Sequence, residues 1–339
     1  MFKFIIRRLI QAIPLVIGIS ILSFLIIRLA PGDPAALQIE MDPNATPADL
    51  ARIRHNLGLD KPLPIQYIVW LKNFVTGQSK SFINGKPVLE AIGERLPRTV
   101  FLLGLSFLLS LSIALPLAIY SATHQYSFWD YFLTVFVFIG LSTPSFWLGL
   151  MLMLFFALTL PQWIANLPPY LQWLKILCLP SAGVFSDNLS ANASLWVKFT
   201  DMLRHAILPV LSMSYVSLAS WMRYQRSSML EVIREDYIRT ARAKGLSDRV
   251  VIYKHALKNA LIPVITLFGL SLPSIFEGSF IIEYVFAWAG MGLLGVESVF
   301  QRDYPVIMGI NMMAAILIIL GNLLADILYA TVDPRIRYD

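Results

Sequence analysis

Six apolar stretches, each about as long as a bilayer is thick, limit what this chain can fold into. A helix needs about 20 mostly apolar residues to cross the hydrocarbon core, where its backbone polar groups must be satisfied internally. Such stretches run over 9–29, 99–122, 131–160, 205–222, 261–285 and 306–332. The third is long and is interrupted at Thr143-Pro144, which predicts tilt and a kink. The fourth is the weakest, diluted by Ser212, Ser214, Ser217 and Ser220, residues suited to close helix packing. Only 14% of the 339 residues are charged and 57% are apolar, whereas ordinary globular chains carry about 25% charged residues. Such a chain cannot cover a water-facing surface. The predicted class is all-α and integral to a membrane, with six transmembrane helices and lipid as solvent; disorder and nucleic-acid binding are excluded.

Lys3, Arg7 and Arg8 precede the first stretch as in a signal peptide, but the apolar run is too long for one. It reads as an uncleaved first helix, so 1–30 is one unit. Orientation follows from basic residues in the short flanks. One side holds those three, nine between 223 and 258, and Arg335 and Arg337 in the tail 333–339; the other holds Lys175, Lys198, Arg204 and Arg302. The net charge of +6 is thus a topology signal, and both termini are predicted to be cytoplasmic.

Segment 31–98 is the largest soluble piece, predicted to be a small folded outer unit. Pro31-Gly32-Asp33-Pro34 breaks the first helix, and Thr46 with Pro47 marks a new helix start. That helix is expected to end at Gly58, followed by an amphipathic one over 65–75. Segment 161–204 carries Trp163, Trp173 and Trp196, and 171–179 is expected to lie at the bilayer surface.

Segment 223–261 is too long and too charged for a passive connection. Met229, Val232, Ile233 and Tyr237 repeat at helical spacing, Gly245 suits a left-handed helix end, and Ser247 suits the cap of a second helix. The predicted object is a helical elbow with charged and small residues at its tip, from Asp236 through Arg239, Thr240, Ala241, Arg242, Ala243, Lys244 and Gly245 to Asp248. Such a rigid elbow, continuous with two membrane helices, suits docking to a cytoplasmic partner. Ala241 and Ala243 would keep its tip slim.

No enzyme site is legible. The lone cysteine, Cys178, excludes an intrachain disulfide or a cysteine metal cage. His55, His124, His205 and His255 fall in loops or at helix ends, without a buried nucleophile beside them. No Gly-x-x-x-x-Gly-Lys-Ser/Thr frame is present to cradle phosphates. No cofactor is expected on this chain. Ionisable residues inside apolar stretches are pathway candidates by default, and these are Glu277, Glu283 and Asp326; hydrogen-bonded structural roles suit them equally well.

The run Tyr237-Ile238-Arg239-Thr240-Ala241-Arg242-Ala243-Lys244-Gly245, continuing to Pro263, resembles the cytoplasmic signature loop of ABC importer permeases. Anchored on Gly245, it departs from the common pattern at Arg239, Thr240, His255 and Lys258. Its wording is similar to the peptide-permease branch, which includes nickel and sugar relatives. Arg28-Leu29-Ala30-Pro31-Gly32-Asp33-Pro34, Leu57-Gly58-Leu59-Asp60-Lys61-Pro62, Arg95-Leu96-Pro97-Arg98-Thr99, Thr143-Pro144-Ser145-Phe146-Trp147, Glu283-Tyr284-Val285-Phe286 and Arg302-Asp303-Tyr304-Pro305 resemble that branch in the same order. The resemblance implies a type I importer permease core over 99–332. It further implies a second, homologous permease, two ATPase subunits carrying ATP-Mg, an extracytoplasmic substrate-binding protein, and a dipeptide or oligopeptide substrate. A secondary transporter is the alternative; it should show inverted repeats, and no clear repeat is visible.

Overall fold

The computed structural model describes residues 2–29, 46–56, 59–190, 192–271, 274–277 and 279–332. These are almost wholly helical; one isolated antiparallel bridge, Lys80 to Pro87, interrupts the pattern among the described residues. Among the described residues six helices are long and apolar enough to cross a bilayer, the number expected.

The fourth crossing, Leu195–Ile233, is the axis of the bundle. Half of its most apolar window is buried, against 11% for the first crossing, so its serines turn inward. Ser212 and Ser214 are buried, and each donates its hydroxyl to a carbonyl three residues back. The helix exceeds the expected 205–222 at both ends, because its polar flanks continue the same helix beyond the apolar part.

The third crossing runs beside it in the opposite direction. Arg226 meets Asp130 near one end, Tyr215 donates its hydroxyl to the Phe136 carbonyl at 2.9 Å, and Leu152, Met153 and Phe156 pack around Leu208 further on. It is built from Phe128–Ser142 and Ser145–Met153, followed by a wide turn, Leu154–Thr159, and Leu160–Ala165. The break falls at Thr143, extended at φ −94°, ψ 120°, before Pro144 as expected. Pro169–Leu177 then forms a 3-10 helix with Tyr170, Trp173 and Ile176 exposed, consistent with a place at the interface.

The second crossing, Val88–Thr123, starts eleven residues before the expected 99. Its charged first turns hid it, yet Val88 and Ile92 are buried against Met291, Val306 and Ile310, and that packing carries the helix across the expected boundary at 98/99. The first crossing, Phe2–Leu29, lies at the edge against the sixth, Tyr304–Val332, where Arg8 pairs with Asp326 at 3.2 Å.

The fifth crossing departs most from expectation. Instead of one helix over 261–285, Asp248–Ser271 forms the long apolar stretch, and Ser274–Glu277 and Phe280–Val285 follow as separate short helices. Ser279 is extended; its carbonyl accepts the Glu283 N–H and its own N–H points to the Glu283 carboxylate, 3.4 Å away, so a new helix starts there.

Between the first two crossings, Pro47–Asn56 and Leu63–Val75 are helical, as expected. The breaker at 31–34 and the stop at Gly58 lie outside the described residues. Ser81 and the Phe82 N–H both bond Asp303, tying this segment to the start of the sixth crossing.

Candidate functional site

The elbow grows directly out of the fourth crossing. That helix ends at Ile233, Glu235 is extended, and a separate helix, Asp236–Ala243, follows. Gly245 sits at φ +77°, a conformation only glycine adopts freely, and its N–H bonds the Arg242 carbonyl at 2.9 Å. The chain re-enters the helix at Asp248. Ser247 does occupy the extended cap position, but its side chain makes no capping bond; the Val251 N–H goes to the Ser247 carbonyl instead. The expected side-chain cap is therefore corrected to a backbone one.

The short elbow helix is sharply two-faced. Ile238 and Ala241 are buried in one cluster with Ala122 of the second crossing, Met229 of the fourth, and Val251, Ala256 and Ala260 of the fifth. Ala241 thus belongs to the inner face, where its small side chain lets the elbow lie close on the bundle; the expectation that it slims the exposed tip is corrected, while Ala243 is exposed. Asp236, Arg239, Thr240, Arg242, Ala243, Lys244, Gly245 and Asp248 are exposed. Their contacts are local, with Arg239 to Asp236 at 3.5 Å and Arg242 to Asp248 at 3.7 Å. Exposed pairs of this kind contribute roughly 0–1 kcal/mol, so these charges are held loosely and face outward.

Two further bonds stiffen the base. Ser228 donates to the Ala260 carbonyl at 2.9 Å, and Asn259 donates to the Tyr237 hydroxyl at 2.8 Å. Close by, Arg226 reaches both oxygens of buried Asp130, which also accepts from Ser121 and from the Tyr126 N–H. The second, third and fourth crossings are joined there. Sequence reasoning missed Asp130; the available signal was a lone acid entering an apolar run.

The two pathway candidates whose side chains are described, Glu283 and Asp326, do not converge. Glu283 is fully buried at the end opposite the elbow. One carboxylate oxygen accepts the N–H groups of Gly292 at 2.7 Å and Leu293 at 3.3 Å, and the other accepts from Thr99 at 3.0 Å. The carboxylate holds the N-terminus of the helix Met291–Phe300, a favourable place for negative charge. Asp326 is occupied by Arg8. Glu277 ends its short helix, and its side chain lies outside the described residues.

The chain matches the profile of the family described as "Binding-protein-dependent transport system inner membrane component" over residues 114–338. The N-terminal profile of the same transport systems matches 1–103. The chain belongs to this family. It is a multi-pass membrane permease, a transport component and not an enzyme. It is 44% identical to the oligopeptide transport system permease protein AppB of Bacillus subtilis over 340 residues, the whole of both chains. It is 38% identical over 349 residues to the dipeptide transport system permease protein DppB of Alkalihalophilus pseudofirmus, again over both full lengths.

Proposed function

We propose that this permease forms half of a peptide importer's pathway and is driven by ATPase subunits docked on the exposed face of 236–248. The observation that carries the reading is the cluster around Ile238 and Ala241, which packs the elbow against three crossings at once. Interiors are close-packed and transmit displacement, so a partner that shifts the elbow shifts the ends of the second, fourth and fifth crossings together. ATP-Mg on the partners supplies the driving force; the elbow acts because the ATPases bind two arrangements of the bundle with different affinity. The excess of basic residues on the elbow side supports a cytoplasmic place for it and for both termini. A second permease completes the pathway, and a binding protein delivers a dipeptide or oligopeptide from the other side, a substrate class supported by the names of the full-length relatives.

The test is purification of the tagged chain from its own membranes in mild detergent, with reconstitution of what accompanies it. Recovery of a second permease and two ATPases, with ATP-dependent uptake of labelled peptide, is the expected result. A chain recovered alone that carries peptide without ATP overturns the reading in favour of a secondary transporter.

A further inference from the structure

At the end opposite the elbow, a cavity of about 490 Å³ lies between the first crossing, the helix Leu63–Val75 and the start of the sixth. Its size falls within the range of about 300–1,000 Å³ for small-molecule sites. Phe24, Trp70 and Met308 line its apolar part. Two polar atoms in its lining residues are buried without a hydrogen-bond partner, Gln66 Oε1 and Trp70 Nε1. Native proteins leave few such atoms unpaired, because each retains its full desolvation cost.

Gln66 is 8% exposed, and its Nε2 donates to the carbonyls of Leu59 at 3.1 Å and Lys61 at 2.7 Å. Turning the amide over would set its oxygen against those two carbonyls, so the unpaired acceptor is fixed in place. Four residues on, one helical turn away, Trp70 supplies an unpaired donor. A hydroxyl answers both atoms, since it gives one hydrogen bond and accepts others. Two cations also line the cavity, Arg28, whose guanidinium stands 5.3 Å from the Phe24 ring centre, and the exposed Lys80.

The position selects the kind of molecule. The cavity lies behind the last turns of the first crossing, an edge helix of the bundle, whose other face presents Leu22, Ile26 and Leu29 bare. Arg28 stands in the last turn of that helix, while Phe24 and Met308 lie deeper along their helices. Two unpaired polar atoms and two cations around an apolar slot, beside a lipid-facing helix, match the mixed chemistry of a phospholipid. We propose that the cavity binds an anionic glycerophospholipid, with a headgroup hydroxyl between Gln66 and Trp70, the phosphate near Arg28 and Lys80, and one acyl chain along Phe24 and Met308. The bound lipid would seal the outer segment onto the membrane part.

The full chain, in detergent with equal amounts of phosphatidylglycerol and phosphatidylcholine, is washed and its retained lipid quantified by mass spectrometry. Phosphatidylglycerol is expected to persist over phosphatidylcholine. Its retention should fall about tenfold in Arg28→Gln/Lys80→Gln, the factor carried by losing one charge-assisted hydrogen bond. Met308→Trp, which fills the slot, should lower it similarly. Equal retention of the two lipids, unchanged retention in both variants, or a wild-type chain that keeps no lipid and holds only water there overturns the proposal. If a variant fails to fold, photoactivatable phosphatidylglycerol on the wild-type chain decides the matter. Labelling of peptides containing Phe24 or Trp70 supports the site, and labelling confined elsewhere overturns it.

Discussion

The Ser228 hydroxyl bonds the Ala260 carbonyl 2.9 Å away, joining the fourth and fifth crossings just beneath the elbow that separates them in sequence. Together with the cluster around Ile238, this bond makes the elbow and the two helix ends one body. Ile238 is fully buried, and truncating it to alanine is expected to cost about 2–5 kcal/mol of local packing. The loss falls at the joint and not in the membrane core. If the elbow couples to ATPase subunits as proposed, Ile238→Ala should leave the permease in the membrane and the ATPase active, while peptide uptake per ATP falls severalfold. Reconstituted proteoliposomes measure both rates together.

Gly245 offers a cleaner test, because space and backbone conformation separate there. A side chain would meet nothing within 4 Å, yet φ is +77°. Gly245→Val should therefore act through strain alone, about 1–2 kcal/mol for a left-handed residue. The Asp236–Ala243 helix would then lose its fixed approach to Asp248. Gly245→Asn, which tolerates this region, should keep most activity. Uptake by the two variants, at matched levels in the membrane, is the measurement; equal loss in both would show that the position is contacted by a partner instead of shaped by its backbone.

The crossings were legible because length and apolarity are local properties of a sequence. Thr143-Pro144 announced the kink for the same reason, and Gly245 announced the turn. Places governed by distant partners were not legible. The second crossing begins at Val88 because Val88 and Ile92 bury against residues some 200 positions away, which overrides the charges of Glu90, Glu94 and Arg95. The helix Phe280–Val285 starts at Ser279 because Glu283 engages both the carbonyl and the N–H of that residue, while its other carboxylate oxygen holds Gly292. At the elbow, helical spacing placed Ala241 on a helix but could not say which face the bundle would cover. Asp130 looked like a loop acid until Arg226, 96 positions on, reached it.

That pair makes a double-mutant prediction. The Asp130 side chain is 4% exposed and that of Arg226 is 31% exposed, at 3.0 Å. Removing one member of a buried pair costs about 3–5 kcal/mol, because the other charge is left uncompensated. Arg226 retains some access to solvent, so Asp130→Asn should lie toward the lower end of that range. Replacing both, as Asp130→Leu with Arg226→Met, should recover much of the loss by exchanging the pair for apolar packing. Thermal unfolding in detergent of the two singles and the double gives the coupling; simple additivity would mean that the pair does not join the second, third and fourth crossings as its geometry indicates.

Glu283 is the strongest case for a buried carboxylate that holds structure in place. A Cβ at Gly290 would clash with both the Glu283 Oε2 and the Thr99 Oγ1, atoms held in place by the backbone N–H groups of Gly292 and Met291. Thr99 also accepts the Met291 N–H at 2.7 Å, while the carboxylate accepts those of Gly292 and Leu293. Gly290→Ala should therefore dislodge the Met291–Phe300 helix and lower the thermal midpoint by several degrees or more. Glu283→Gln conserves volume but sets an NH2 group against backbone N–H donors whichever way the amide turns. The cost expected from the resulting unsatisfied groups is about 1–3 kcal/mol. Glu283→Asp keeps the charge but falls short of the helix N-terminus, so it should be no better than glutamine. If Glu283 instead served passing peptide, the glutamine variant would lose uptake at an unchanged midpoint, and unfolding curves measured beside transport separate the two roles.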